Sequence, residues 1–197
     1  MRTLAARMLA AAAFVAALTV VGRATTVIAP TFDELVSQAQ VVFEGDTLNV
    51  QSRWVTAGVD RAIVTDVTFK VVRTLKGTLG PQTLLTFLGG TVGEDRMVVT
   101  GVPTVRVGDS VVLFVDERGR PASPVVGFMH GRFRIVDDPA SGRQAVTRFN
   151  HEPLVAVSDL GPQAARATAR VPVSRAMSLR AFEDTITEAV RRTPGRQ

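Results

Sequence analysis

The sequence predicts a mainly β fold, namely a small antiparallel OB-like β-barrel or alternatively a β-sandwich, with a short helix before it and an amphipathic helix after it. Three observations predict this class: runs of branched and aromatic residues between Val41 and Phe149, turn-forming residues between these runs, and no alternation of strands with helical patterns. Strand count alone does not distinguish a closed barrel from a sandwich, so both architectures stay open.

The first 24 residues predict a signal peptide. Basic residues lead into an apolar stretch from Met8 to Val21, and small residues follow at Gly22 and Ala24, where signal peptidase requires them. A stretch of 14 residues is shorter than the roughly 20 that cross a bilayer. We therefore expect export to the periplasm or the medium, a mature N-terminus at Thr25, and no stable membrane anchor after processing.

A short helix is expected just after the leader. Thr31 and Glu34 have the spacing of a capping box, in which each side chain satisfies a backbone amide of the other residue. Leu35, Val36 and Ala39 then provide one apolar face over about two turns. This helix is predicted to lie across one end of the barrel.

The predicted barrel domain covers residues 25–150. Its clearest strand pattern is the alternation of apolar and polar residues around Val67, Phe69 and Val71, and Gly45 indicates a bulge within the first strand. The predicted strands comprise residues 41–50, 62–75, 83–88, 110–115, 125–136 and 144–149. A further short strand at residues 97–99 belongs to the alternative in which residues 87–109 are a structural connection.

The C-terminal part is predicted to be an irregular linker, residues 151–177, followed by a helix, residues 178–193. Prolines interrupt the linker, and Ser178 is placed to cap the helix. Apolar residues recur at Leu179, Phe182, Ile186 and Val190, which makes one stripe. The pattern favours a helix docked on its own domain over one that binds a partner or a membrane surface.

Composition excludes several classes of site. The chain has no cysteine, so it has neither a disulfide framework nor a thiolate site. Its net charge of +5 falls to +2 when the three arginines of the signal peptide are removed, and residues 25–150 are neutral. Nucleic acid is therefore not an expected partner, because binding it needs clustered positive charge.

No common catalytic pattern is present, so we expect a protein that is not an enzyme and has no catalytic residue, metal site or cofactor. The two histidines, His130 and His151, do not have metal-ligand spacing. Two other functions stay open: a hydrolase that uses His130 with an acid such as Asp95, and a structural protein of the cell envelope.

The candidate partner-binding site is the glycine-rich loop from Gly89 to Gly101, within the unusual segment 87–109, combined with the new N-terminus at Thr25. Glycines allow backbone conformations closed to other residues, and charged residues at the expected tip provide recognition. The alternative is a wide structural connection. The candidate residues are Thr25, Gly89, Gly90, Gly93, Glu94, Asp95 and Arg96.

Several short motifs carry a resemblance to a family of uncharacterised secreted bacterial proteins. They are Phe32-Asp33-Glu34-Leu35-Val36, the run from Ala39 to Gly45, Leu75-Lys76-Gly77, Gly89-Gly90, Gly101-Val102-Pro103, Val107-Gly108-Asp109 and Gly131-Arg132-Phe133. The barrel of this family is faintly similar to the netrin-like domain of metalloprotease inhibitors. The resemblance implies protein binding rather than catalysis, with a secreted matrixin-type metalloprotease as the partner that the chain binds or inhibits. Those inhibitors chelate zinc through an N-terminal cysteine, which this chain lacks.

Overall fold

The computed structural model describes residues 28–57, 60–116, 118, 122–162 and 171–192. Within these residues the protein is a six-stranded antiparallel sheet with a two-stranded hairpin and two α-helices. The mainly β class is therefore confirmed. The predicted signal peptide and Thr25 lie outside the described residues.

Helix α1 covers Phe32–Gln38 and begins with the predicted capping box. Glu34 donates its N–H to Thr31 Oγ1 at 3.3 Å, and Thr31 donates its own N–H to Glu34 Oε2 at 2.8 Å. At the other end, Lys76 Nζ donates hydrogen bonds of 2.7 and 2.6 Å to two carbonyl oxygens. A cation at this position stabilises the negative end of the helix dipole.

The strands are β1 Val41–Ala57, β2 Asp60–Lys76, β3 Gln82–Leu88, β4 Gly90–Val92, β5 Asp95–Met97, β6 Ser110–Val115, β7 Arg132–Asp137 and β8 Gln144–Thr147. The large sheet has the order β3-β2-β1-β6-β7-β8, and β4 pairs with β5 alone. Strands β3 and β8 form its edges, so the described strands make an open sheet rather than the closed barrel that was expected.

The free edge of β8 is occupied by residues that follow it in the chain. Leu154 donates its N–H to the carbonyl of Val146 at 3.0 Å, and Val146 donates its N–H to the carbonyl of Met177 at 3.0 Å. These segments take the hydrogen bonds of Val146 that point away from β7, and β8 is not paired with β3. Leu154 is fully buried, so the predicted linker packs against the sheet.

Strand β1 is longer than predicted because it pairs in two different ways. Residues 41–46 lie between β2 and β6, whereas the rest of β1 pairs with β2 alone, and β2 pairs on its other side with β3 over residues 64–70. The register shifts at three places, one of them between Glu44 and Gly45, where the bulge was expected. A Cβ at Gly45 would lie 2.9 Å from the carbonyl oxygen of Lys70, so only glycine fits without a shift.

One face of the sheet is covered by the two helices. Helix α2, Leu179–Arg192, begins where Ser178 Oγ accepts the N–H of Ala181 at 3.2 Å. The ring of Phe182 lies 4.8 Å from that of Phe133, centroid to centroid, and both side chains are fully buried. The helix therefore docks on its own sheet, as its apolar stripe predicted. The described residues include no helix with the length and apolar character to span a membrane.

The opposite face has a second apolar core, covered by irregular chain. Its buried members are Phe43, Val67, Phe69, Leu85, Phe87, Val105, Val111, Leu113, Val115 and Val125. Residues 98–109, which follow the β4–β5 hairpin, contribute Val102 and Val105 to this core. The short strand that the alternative interpretation placed at residues 97–99 lies two residues earlier, because Met97 is the last residue of β5 and the chain leaves the hairpin after it.

The strand predicted at 125–136 is wrong in its first half. Val125 makes an isolated bridge to Val115, and a 3₁₀ turn covers Phe128–Gly131 before β7 begins. Gly127 and Phe128 have positive φ values of 62° and 58°, which turn the chain out of the extended conformation.

Candidate functional site

The glycine-rich loop forms the β4–β5 hairpin. Gly90 pairs with Met97, and Val92 pairs with Asp95. Gly93 lies at the turn with φ 61°. The structure thus brings together in one hairpin all the predicted site residues except Thr25, which lies outside the described residues.

A chain of hydroxyl groups fixes the base of the hairpin. Ser52 Oγ lies 2.9 Å from Thr65 Oγ1, Thr65 Oγ1 donates to the carbonyl of Gly89 at 2.6 Å, and Ser52 Oγ accepts the N–H of Thr91 at 3.3 Å. Gly90 has φ 140°, and a Cβ there would lie 2.3 Å from Thr65 Oγ1. Glycine is therefore required where the hairpin crosses β1 and β2.

The tip of the hairpin carries exposed charge. Glu94, Asp95 and Arg96 are all exposed, and within the described residues their side chains make no hydrogen bond or ion pair. Val98, which follows, is 73% exposed. The tip therefore presents three charges to solvent, and Val98 is exposed at the base, where the chain leaves the hairpin.

A cavity of about 300 Å³ lies beneath the hairpin. Its lining is mainly apolar, and the Ser52 and Thr65 hydroxyls that face it are already engaged with each other and with the hairpin. Among the described lining residues, Arg96 alone is charged. The cavity therefore has volume but few free polar or charged groups that could bind a ligand.

A second cleft of about 320 Å³ adjoins the first, and we call it the arginine cleft. Its lining consists of Val102, Pro103, Thr104, Arg106, Asp109, Met129, Arg132, Arg134, Phe149 and His151. Residues 102–104 also line the first cavity, so they form the wall between the two.

Strand β7 positions the arginines of this cleft. Arg132 and Arg134 are two residues apart and share one face of the strand, whereas Phe133 between them enters the helix-side core. Asp109 bridges the two guanidinium groups, because its Oδ2 accepts from Arg132 Nη2 at 3.0 Å and its Oδ1 accepts from Arg134 Nη2 at 3.1 Å. Arg134 Nη1 also lies 2.8 Å from His151 Nδ1.

Arg132 is an unusually buried cation. It is 6% exposed, and no hydrogen-bond partner reaches its Nε in the described residues. Burial lowers the pKa of Arg132, and the carboxylate of Asp109 opposes this shift. The sequence reasoning did not identify this cleft, although two arginines on alternate positions around a buried Phe133 signal a shared face.

The histidine of the hydrolase hypothesis, His130, is half-buried. The His130 ring packs edge-on against Phe149, with centroids 4.9 Å apart. Burial and the charge of Arg148 lower the pKa of His130. No hydrogen bond between described residues joins His130 to Asp95. The part of the chain that the structure describes also contains no cluster of three or more His, Asp or Glu residues that could hold a metal ion.

Comparisons with models of known protein families, with curated proteins and with solved structures gave no match. They leave the resemblance to secreted bacterial proteins as an expectation. The hairpin tip and the arginine cleft therefore have to be interpreted from their own geometry.

Proposed function

We propose that this chain is an exported, non-catalytic protein-binding module that contacts its partner through the tip of the β4–β5 hairpin. The observation that supports this proposal is an exposed tip of three charges, Glu94, Asp95 and Arg96, on a hairpin whose base is fixed by hydroxyl groups. A contact surface that is ordered before binding loses less conformational entropy on association.

The charges of the tip favour specificity over raw affinity. Opposite charges across an interface steer the encounter and exclude wrong partners, whereas exposed pairs add little binding energy. Val98, which follows the hairpin at its base, is 73% exposed and adds apolar area on the same segment. A partner surface with charges complementary to Glu94, Asp95 and Arg96 would fit this tip.

The partner class is a proposal that comes from the resemblance, which implies a secreted metalloprotease. The new N-terminus at Thr25 is proposed to contribute to the same contact.

Export is proposed from the leader pattern, and mass spectrometry of secreted or periplasmic protein should identify Thr25 as the first residue. A full-length product confined to the cytosol would contradict export.

The contact is tested with the mature chain and a purified matrixin-type secreted metalloprotease. We expect saturable binding by isothermal titration calorimetry, and at least a tenfold weaker Kd for the triple variant Glu94→Ala, Asp95→Ala, Arg96→Ala, because charge-assisted contacts are lost. The matched control removes the same charges from the exposed face of α2: Arg180→Ala, Asp184→Ala, Glu188→Ala.

The two triple variants separate the hypotheses. If the control binds like wild type and the tip variant does not, the hairpin is the contact surface. If both variants bind with the Kd of wild type, the hairpin is not part of the interface. A protease that binds no form of the protein would exclude this partner class.

A further inference from the structure

The arginine cleft holds more positive than negative charge. Three arginines line it, Arg106, Arg132 and Arg134, and Asp109 is the one carboxylate among its described lining residues. The formal balance of these four groups is +3 and −1, which leaves a surplus of two positive charges. Such a surplus in a concave, partly desolvated place attracts anions.

Part of this surplus positive charge is buried, because it belongs to Arg132. A buried guanidinium is stable only when its charge and its N–H donors are satisfied. Arg132 is 6% exposed and shares Asp109 with Arg134, while its Nε has no partner among the described residues. A further oxyanion in the cleft would supply the missing acceptor and the missing charge.

The other walls of the cleft indicate what carries the anion. Val102, Pro103, Met129 and Phe149 line it beside the arginines. A strongly hydrated inorganic anion gains nothing from these apolar walls, whereas an organic group buries apolar surface against them. We propose that the arginine cleft is a binding site for a carboxylate attached to an apolar group.

Arginine chemistry fits this ligand. The planar guanidinium presents five N–H donors in a fork that matches the two oxygens of a carboxylate. One donor of Arg132 and two of Arg134 are engaged within the described residues. The volume of about 320 Å³ is at the small end of ligand pockets, so the site takes a small acid or the end of a chain.

The site is tested by NMR titration of the ¹⁵N-labelled mature protein. The probes are phenylacetate, its neutral analogue phenylacetamide, and inorganic phosphate. We expect saturable shifts of the amides of Thr104 and Phe149 with phenylacetate, at an affinity at least tenfold above that of either other probe. Equal affinity for phenylacetamide or for phosphate would overturn the carboxylate assignment, and no saturable shift in the cleft would overturn the site.

Variants connect binding to the arginines. Arg134→Gln should weaken phenylacetate binding at least tenfold, because a charge-assisted pair is lost. Arg53→Gln is the control, since it breaks an ion pair on β1 and β2 and should leave the affinity unchanged. If Arg134→Gln lowers the melting temperature, the exposed Arg106→Gln provides a second variant, with an expected loss of severalfold. An affinity for both cleft variants equal to that of Arg53→Gln would contradict the proposal.

Two sources can present this chemistry, a free acid or the C-terminus of a peptide. A tetrapeptide that ends in phenylalanine is compared as the free acid and as the C-terminal amide. Binding of the acid at least fivefold tighter than phenylacetate, with no binding of the amide, identifies a chain terminus. Binding no tighter than phenylacetate identifies a free small acid. Neither result depends on the hairpin contact, which the tip variant tests separately.

Discussion

The two faces of the central sheet are built from the same strands but covered in different ways. Strand β6 shows this directly, because Val112 and Phe114 enter the helix-side core whereas Val111 and Leu113 enter the other. Helices cover the first face and seal it with fully buried rings. Irregular chain, residues 98–109, covers part of the second face and borders both clefts.

The difference teaches where stability and binding are expected to lie. A helix presents a regular apolar stripe and can fill the surface of a sheet without gaps. An irregular segment cannot match the sheet at every residue, so space and polar groups remain along it. We therefore expect core changes to act mainly on stability, and changes on the loop side to act on the clefts as well.

The largest expected effect is on the helix-covered face. Phe182→Ala removes a fully buried ring that packs against Phe114 and Phe133, and should lower the free energy of unfolding by about 3–5 kcal/mol. Urea denaturation measures this change. Val98→Ala, at an exposed position on the loop side, is the control and should change it by less than about 0.5 kcal/mol. A small effect of Phe182→Ala would mean that α2 does not stabilise the sheet.

The hairpin base is expected to show an intermediate effect. Gly90→Ala places a Cβ against the Ser52 and Thr65 hydroxyls and should destabilise the protein by about 2–3 kcal/mol, from strain and from lost hydrogen bonds. Gly93→Ala has open space and a φ of 61°, so it should cost about 1 kcal/mol. Thermal unfolding compares them. Equal losses would show that the hydroxyl network does not fix the hairpin.

The smallest expected effect concerns a pair of carboxyl groups at the edge of the helix-covered face. Burial raises the pKa of Glu44 to about 7 from its ordinary value of 4.5, and the nearby Glu183 carboxylate adds to this rise, while Arg73 opposes it. The folded state therefore binds more protons than the unfolded state between pH 4.5 and 7. The contribution of Glu44 to stability is fully present below pH 4.5 and is lost as the pH rises through 7.

Glu44→Gln removes this titration and keeps the neutral form. The variant should be more stable than wild type by about 1 kcal/mol at pH 8, after allowance for solvent screening, and the difference should shrink towards pH 5. Urea denaturation across this pH range measures it. Glu94→Gln at the hairpin tip serves as the exposed control. A difference that is the same at pH 5 and pH 8 would show that Glu44 does not titrate as described.

Sequence reasoning predicted the elements whose signals are local. The capping box at Thr31 and the stripe that contains Phe182 each lie within a few turns of one helix, so their patterns are readable without the rest of the fold. The mainly β class followed in the same way from alternation along single strands.

The rest depended on contacts between distant residues. The β4–β5 hairpin is held at its base by Ser52 and Thr65, which lie on other strands. The local pattern of this segment therefore left both a binding loop and a structural connection open. The arginine cleft needs Asp109, which lies 23 residues before Arg132. Pairings of this kind leave no periodic pattern in the sequence. The same holds for the outer edge of β8, which is covered by the later segments around Leu154 and Met177.

Strand β1 pairs with one strand that is near in sequence and one that is distant, and the two pairings differ in their cost in chain entropy. At its far end β1 meets β2 at the pair Ala57 and Asp60, three positions apart, whereas its pairing with β6 joins Asp46 to Ser110, 64 positions apart. Closing the longer span costs about 3 kcal/mol more in chain entropy. The wall between the two clefts belongs to this long span. A ligand that contacts both Thr104 and Arg134 would link this long segment to β7. Like a cross-link, part of its binding energy would then stabilise the folded chain against opening of the segment.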